Sequence, residues 1–377
     1  MPSCTPDKLR NVITEGTIRA ISLDANIFGN FRSDLKSPML LLLDQFKGTN
    51  VSVIFSEIVV REVEKHIKNK AEQAMSKLRV SFQECQKRWR SNFDFDLMLQ
   101  PTGIDANFDG LANRQFREFC EHVAAEVIPV NGNVNIDKLV DNYFNVMPPF
   151  EDKKQKKFEF PDAIALLSLE DWAKKCGNCV LLVSNDSGWQ RFSELSDYLF
   201  CVKDLAIALD CFNEEGRPIV VQAFSTLKSK TDKTLSSEID AIIQNHLSNN
   251  DFFVTAHSHL YHEGESYKAI LQNWRVLEST EPHIIAFDRE TVTFTIDLEC
   301  TVEFTANFNF YFYDGIDREY TPAGNEKFSK KDDVQLSIFL KILKKHDPKL
   351  ECVKVDITSP GFEVNFGDIE PDWRREE

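Results

Sequence analysis

The chain has 377 residues, of which 42% are hydrophobic and 28% charged, with a net charge of -16. That composition supports buried cores in about two domains. It excludes a disordered chain, a collagen, a small disulfide scaffold and a protein that coats nucleic acid through a basic surface.

The longest apolar run, Met39 to Leu43, is far short of the roughly 20 residues of a membrane span, so no membrane contact is expected. The start, MPSCTPDKLR, shows no secretory signal, and nine cysteines spread along such a chain read as reduced thiols. A cytoplasmic location is expected. Residues 1–215 hold 26 basic and 32 acidic side chains, and residues 216–377 hold 18 and 28, so the acidity is weighted toward the C-terminal part.

In chain order, residues 17–23 form a short apolar strand ending at Asp24, and Pro38 to Lys47 a helix. Residues 51–55 are a second buried strand; Ser56 caps a long polar helix that runs to about Trp89. Arg114 to Val127 and Asp137 to Val146 read as helices, and Pro161 opens another through Trp172. Residues 179–183 are a third strand, Tyr198 to Val202 a fourth, and Lys203 to Leu209 a helix. Continuous apolar strands separated by helices predict an α/β domain with a parallel sheet covered on both faces.

After about Gly216 the pattern changes. From Val292 to Phe312 the even positions are almost all apolar and the odd ones mostly polar, a period of two. The run exceeds an ordinary strand, so a break or bulge is expected near its middle. Asp314-Gly315 marks a turn, and Val334 to Ile342 and Val353 to Ile357 alternate again. Residues 1–215 and 216–377 are thus expected as two domains, the second β-rich and largely antiparallel, with a linker near 228–237.

Four acidic residues fall where a parallel sheet brings them to one edge. Asp24 ends the first strand, Glu62 lies in the second turn of the long helix, Asp162 in the first turn opened by Pro161, and Asp186 follows CVLLV. The carboxyl ends of the strands and the amino ends of the following helices share that edge, where open α/β sheets bind ligands. Singly, Asp162 or Glu57 would serve a helix dipole, and Asp24 or Asp186 a turn. Together they repel, and a packed site keeps such a cluster where a cation neutralises it. Hard oxygen donors select Mg²⁺ or Mn²⁺, and such a site suits metal-assisted hydrolysis of a phosphodiester.

The segments ISLDANIF, FSEIVVREVEKH, KKFEFPDAIALL and VLLVSNDSGW, in that order, resemble the four acidic motifs of the PIN-domain nucleases over residues 15–212. The nearer match is the bacterial PIN-like group with a long helix after the second motif. The resemblance implies a parallel sheet with flanking helices and divalent-metal-dependent cleavage, most often of RNA. It implies Asp24, Glu62, Asp162 and Asp186 as metal-site acids, with Ser184 and Asn185 at the family's small polar position. Ser187 to Gln190 lack the extra acid that some relatives carry, which leaves the number of metal ions open. A PIN domain fused to a partner-type domain suggests, by analogy, a toxin or phage-defence effector, with a regulatory protein docking on the C-terminal domain and a homo-oligomer as further expectations. A structure-selective DNA nuclease and a non-catalytic scaffold are the alternatives.

Glu57 competes with Glu62, five residues apart and about 140° around the helix; the motif favours Glu62. His66, one turn on, is within reach of Glu62. Residues 61–90 carry nine Lys or Arg against four Glu, with Trp89 near the end. Lys153, Lys154, Lys156 and Lys157 precede Asp162, and either basic segment would suit a polyanion. Phe28 is read as core rather than as a stacking surface. Cys176 and Cys179 read as a pair at a helix-to-strand turn, since a zinc site needs two more ligands. His257, His259 and His262 read as a polar loop rather than a metal site.

Overall fold

The computed structural model describes every residue except 1–4, 93, 103, 105–106, 152–158, 250–251, 278–280, 316–317, 345–351, 358–361 and 372–377. The chain divides into two compact units, Met1–Phe212 and Asn213–Glu377.

The first unit runs α1 (Pro6–Thr14), β1 (Ile18–Leu23), α2 (Ala25–Asn30), α3 (Pro38–Leu41), β2 (Ser52–Ser56), α4 (Glu57–Trp89), α5 (Phe95–Leu99) and α6 (Phe108–Val123). It continues with β3 (Glu126–Ile128), α7 (Ile136–Phe144), α8 (Phe160–Cys176), β4 (Cys179–Val183), α9 (Ser187–Leu195), β5 (Leu199–Val202) and α10 (Leu205–Phe212). The five strands pair in parallel in the order β3-β2-β1-β4-β5. All five residues of β4 are buried, as a strand covered on both faces requires.

The chain leaves β1 for β2 and β3 on one side and returns to β4 on the other. The order therefore reverses between β1 and β4, and their carboxyl ends open a crevice. Ser56 caps α4 by accepting the Ile58 N–H, and Pro161 occupies the first turn of α8.

Two expectations need correction here. The helix placed over Arg114 to Val127 stops at Val123, and Glu126–Ile128 pairs with β2 instead. Val127 continues the helical apolar spacing of Phe116, Phe119 and Val123, so the pattern does not announce the break. The chain turns at Ala124, which takes φ 53 without the glycine that usually signals such a cap. The Pro38–Lys47 helix is a single α turn followed by a 3-10 segment, Leu42–Phe46.

The second unit opens with α11 (Arg217–Ser229) and α12 (Lys233–Ser248). Residues 228–237 are therefore the end of one helix, a turn and the start of the next, all inside this unit, rather than a linker. The strands are β6 (Phe252–His257), β7 (Tyr261–Val276), β8 (His283–Phe287), β9 (Thr291–Asp314), β10 (Glu319–Leu343), β11 (Cys352–Ile357) and β12 (Phe362–Asp368). The main sheet, β11-β10-β9-β7 with β8 also on β9, is antiparallel, and β12 pairs with β6 in parallel.

β9 is one unbroken strand, so the expected interruption is absent; the register shifts lie in its partners, at Glu265/Lys268 and Leu271/Asn273 of β7 and at Pro322/Gly324 of β10. Proline has no N–H for the ladder and Gly324 adopts φ 132, so the partner absorbs the irregularity. The even residues from Val292 to Phe310 are buried against α11, α12 and the short parallel pair. Phe312, in phase with them, is exposed beyond the end of that core.

Candidate functional site

Asp24 is the residue after β1, and its backbone N–H donates to the Val183 carbonyl at 3.0 Å, which fixes it between β1 and β4. Its side chain is buried. Ser184, fully buried after β4, donates its hydroxyl to Asp24 Oδ2 at 2.5 Å. The same Oγ accepts the Asp186 N–H at 3.0 Å and the Asn26 amide at 3.3 Å. Ser184, at the small polar position beside the last acid, is an internal clasp that ties the first and last acidic segments together. Asn185 is exposed, and its N–H faces Asn26 Oδ1 at 3.5 Å.

Asp186 caps α9: its Oδ1 accepts the N–H groups of Gly188 at 2.6 Å and Trp189 at 3.2 Å. A Cβ on Gly188 would meet that oxygen at 2.8 Å and Pro149 at 3.0 Å, so only glycine lets the helix start this close to its own cap. The buried Trp189 indole donates to Asp162 Oδ1 at 2.9 Å and sets its rotamer. Asp162 and Asp186 thus each hold one oxygen in a fixed bond, and the other accepts no hydrogen bond among the described residues.

The electrostatics join the four acids. Burial pushes the Asp24 carboxyl up to about 7; the Ser184 bond opposes this, and the charges of Asp162 and Asp186 add to it. Asp162 is raised by burial, against its Trp189 bond, with Asp186 and Glu159 contributing. Glu62 is raised by burial and then by Asp162. Glu57 behaves oppositely: it accepts the Val130 N–H at 3.0 Å and pairs with Arg61, and both bonds hold its carboxyl low. Glu57 therefore clips α4 to the residues after β3, while Glu62 belongs to the acidic group.

The donor chemistry fits a hard divalent cation: four carboxylates, of which burial and neighbouring charge make Asp24, Glu62 and Asp162 costly to ionise without a counter-charge. No three His, Cys, Asp or Glu side chains among the described residues stand close enough to hold an ion in their present rotamers. The four acids form an electrostatic neighbourhood at the carboxyl edge of the sheet.

The other candidates separate cleanly. His66 is exposed and makes no hydrogen bond to Glu62 among the described residues. Phe28 is buried against Phe55, Phe116 and Phe119, with ring centroids 5.7, 6.1 and 5.8 Å away. Cys176 and Cys179 are free and flank the α8–β4 turn, where Gly177 takes φ 64. The expected polar loop over the three histidines is shorter than that: His257 ends β6 and His262 lies in β7, its Nδ1 facing the Leu260 carbonyl at 3.3 Å, while His259 between the strands bonds Glu370 at 2.7 Å. Lys153, Lys154, Lys156 and Lys157 lie outside the described residues.

The sequence reading missed Trp189 and Asn26 as parts of the site. Trp189 stands in the segment SNDSGW, and a buried indole needs an acceptor, which is the signal that pointed to it. Residues 21–189 match the family model of the PIN domain. No curated protein and no solved structure matches the chain.

Proposed function

Because residues 21–189 of this chain belong to the PIN-domain family of nucleases, we propose that the protein is a divalent-metal-dependent endoribonuclease whose site is Asp24, Glu62, Asp162 and Asp186. The observation that supports this most directly is the placement of Asp24 and Asp186 at the carboxyl ends of the adjacent strands β1 and β4, joined through Ser184, with Asp162 close enough to raise both Asp24 and Glu62. Mg²⁺ or Mn²⁺, when bound, supplies positive charge to the scissile phosphate and acidifies the attacking water.

The protein's own contribution is positioning. Ser184 holds Asp24 and the backbone of Asp186 through one oxygen, so the carboxyl ends of β1 and β4 keep a fixed separation. The Trp189 indole occupies one oxygen of Asp162 and the first turn of α9 one oxygen of Asp186, which leaves the other oxygen of each available to a cation. Asp24, with its carboxyl near 7, would hold a cation in its ionised form, so binding would strengthen as pH rises through neutrality. The β-rich second unit is the regulatory or partner-docking element in this reading, and a role as a cytoplasmic toxin or defence effector follows from that pairing.

The test is cleavage of RNA, single-stranded DNA and flapped DNA by the purified chain in Mg²⁺ or Mn²⁺ and in EDTA. Metal-dependent internal cleavage of RNA is expected. Preference for flaps would make it a DNA nuclease on the same site, and inertness on every substrate would leave a scaffold.

A further inference from the structure

The helix α4 is 33 residues long, yet its buried residues are Val59, Val63 and Ile67, all in its first turns. Past Ile67 it leaves the core. At 100° per residue, positions 62, 66, 70, 73, 77, 81, 84 and 88 advance by three or four and share one side of the helix. That ridge starts at Glu62 and reads His66, Lys70, Gln73, Lys77, Ser81, Glu84 and Arg88. Val59 and Val63 lie within about 40° of Lys70 and Lys77 around the axis. The side that packs on the domain at the start of the helix is therefore the side that turns basic once the helix emerges.

Three cations on other sides of the helix are engaged elsewhere. Arg61 pairs with Glu57, Lys68 with Asp109 on α6, and Arg79 sits over the Phe95 ring at 4.7 Å and near Asp96 on α5. On the ridge itself Arg88 lies 3.6 Å from Glu84, an exposed pair that a phosphate can replace, and no ion pair engages Lys70 or Lys77 among the described residues. Lys70 Nζ reaches only Ser33 Oγ, at 3.4 Å, and it lies close enough to Arg32 to feel its charge. Arg32 and Ser33 follow α2, the helix that Asp24 begins, so the ridge meets a second like charge where it passes the end of that helix. In a protein of net charge -16 that arrangement is complementary to a polyanion.

We propose that the Glu62–Arg88 ridge of α4 is a track for the phosphate backbone of the nucleic-acid substrate, with Lys70, Lys77 and Arg88 as its contacts. This rests on the nuclease reading and extends it. From Glu62 to Arg88 the ridge spans about 39 Å at 1.5 Å per residue. That is about 11 phosphate spacings at the 3.4 Å of a duplex strand. Affinity should therefore grow with substrate length up to that span and then level off.

The experiment compares K70Q/K77Q/R88Q with K36Q/K47Q/K203Q, which removes the same charge from exposed residues of the same unit off the ridge. Binding of 6-, 12- and 24-nucleotide RNA and DNA is measured by anisotropy in EDTA over a salt series, and KM and kcat in Mn²⁺. The ridge variant should bind the longer strands about tenfold or more weakly. Its log–log salt slope should fall by about 2, near 0.7 per lost single-strand contact. KM should rise with kcat unchanged, and the Mn²⁺-induced stabilisation should stay at the wild-type value. A wild-type chain that binds no nucleic acid overturns the track together with the nuclease reading. A wild type that binds while the ridge and control variants behave alike overturns the track only, and leaves the ridge to an acidic protein surface.

Discussion

Asp162 carries the sharpest distinction between a metal site and a helix start. Asp162→Asn keeps the size and an acceptor for the Trp189 indole but removes one charge from the group. As a metal ligand, its loss should lower cleavage by several orders of magnitude and shrink the rise in melting temperature on adding Mn²⁺, with metal-free stability level or higher. As a mere helix-start acid, it should leave activity intact and cost about 0.3–1 kcal/mol. Asp24 supplies the pH signature. Its carboxyl goes from an ordinary value of 3.8 in the unfolded chain to about 7 when folded, so the folded state holds the extra proton between those values. Its contribution to stability is full below about 3.8 and is lost as pH rises toward 7, and Asp162 and Glu62 shift in the same direction. Denaturant midpoints in EDTA should therefore fall from pH 4.5 to 8, and Asp24→Asn should flatten that fall. A profile identical to wild type in Asp24→Asn would contradict the assignment.

At the scale of the element, α8 must deliver Asp162 to the crevice with its amino end fixed. Part of the anchor is Glu170, two turns further on and buried, which takes Lys138 Nζ at 2.6 Å, Lys174 Nζ at 2.9 Å and Ser196 Oγ at 2.8 Å. Burial alone would raise this carboxyl, but the bonds from Lys138, Lys174 and Ser196 outweigh it and hold it low. Its contribution is therefore present above the ordinary value of 4.5 and is lost as pH falls. Glu170→Ala should cost about 1–3 kcal/mol, less than a fully buried pair because both lysines are partly solvated. The chemical-denaturation midpoint measures this, with the Mn²⁺ response unchanged because no carboxylate of the site is touched. The α8 start, the β4 strand and the Ser56 cap were legible in the sequence because proline position, a continuous apolar run and a capping serine each act locally. The three-residue β3 was not, because its pairing with β2 comes from the partner strand and not from its own residues. The same reasoning explains β9: a strand flanked on both sides stays regular far beyond ordinary length, and its neighbours take the bulges.

For the whole molecule, each unit buries its own core, so the fragment Met1–Phe212 should fold cooperatively and keep metal-dependent cleavage. A calorimetric melt and a cleavage assay on that fragment check this. An insoluble fragment would mean that the second unit completes the first. No helix among the described residues is long and apolar enough to cross a membrane. By itself the sequence determined the two kinds of architecture, since hydrophobic period is a local property: continuous strands alternating with helices give way to a period of two. It also placed the four acids at strand ends and near helix starts, because those positions follow from the same elements. Tertiary structure alone decided which neighbours they have. Ser184 became a clasp between Asp24 and Asp186 because β1 and β4 pair directly, and Glu57 a structural clip because Val130 lies beside it. Trp189 became the support of Asp162 because α9 folds back against α8. These relations connect residues dozens to more than a hundred positions apart, and only the closure of the sheet brings such groups within hydrogen-bonding distance.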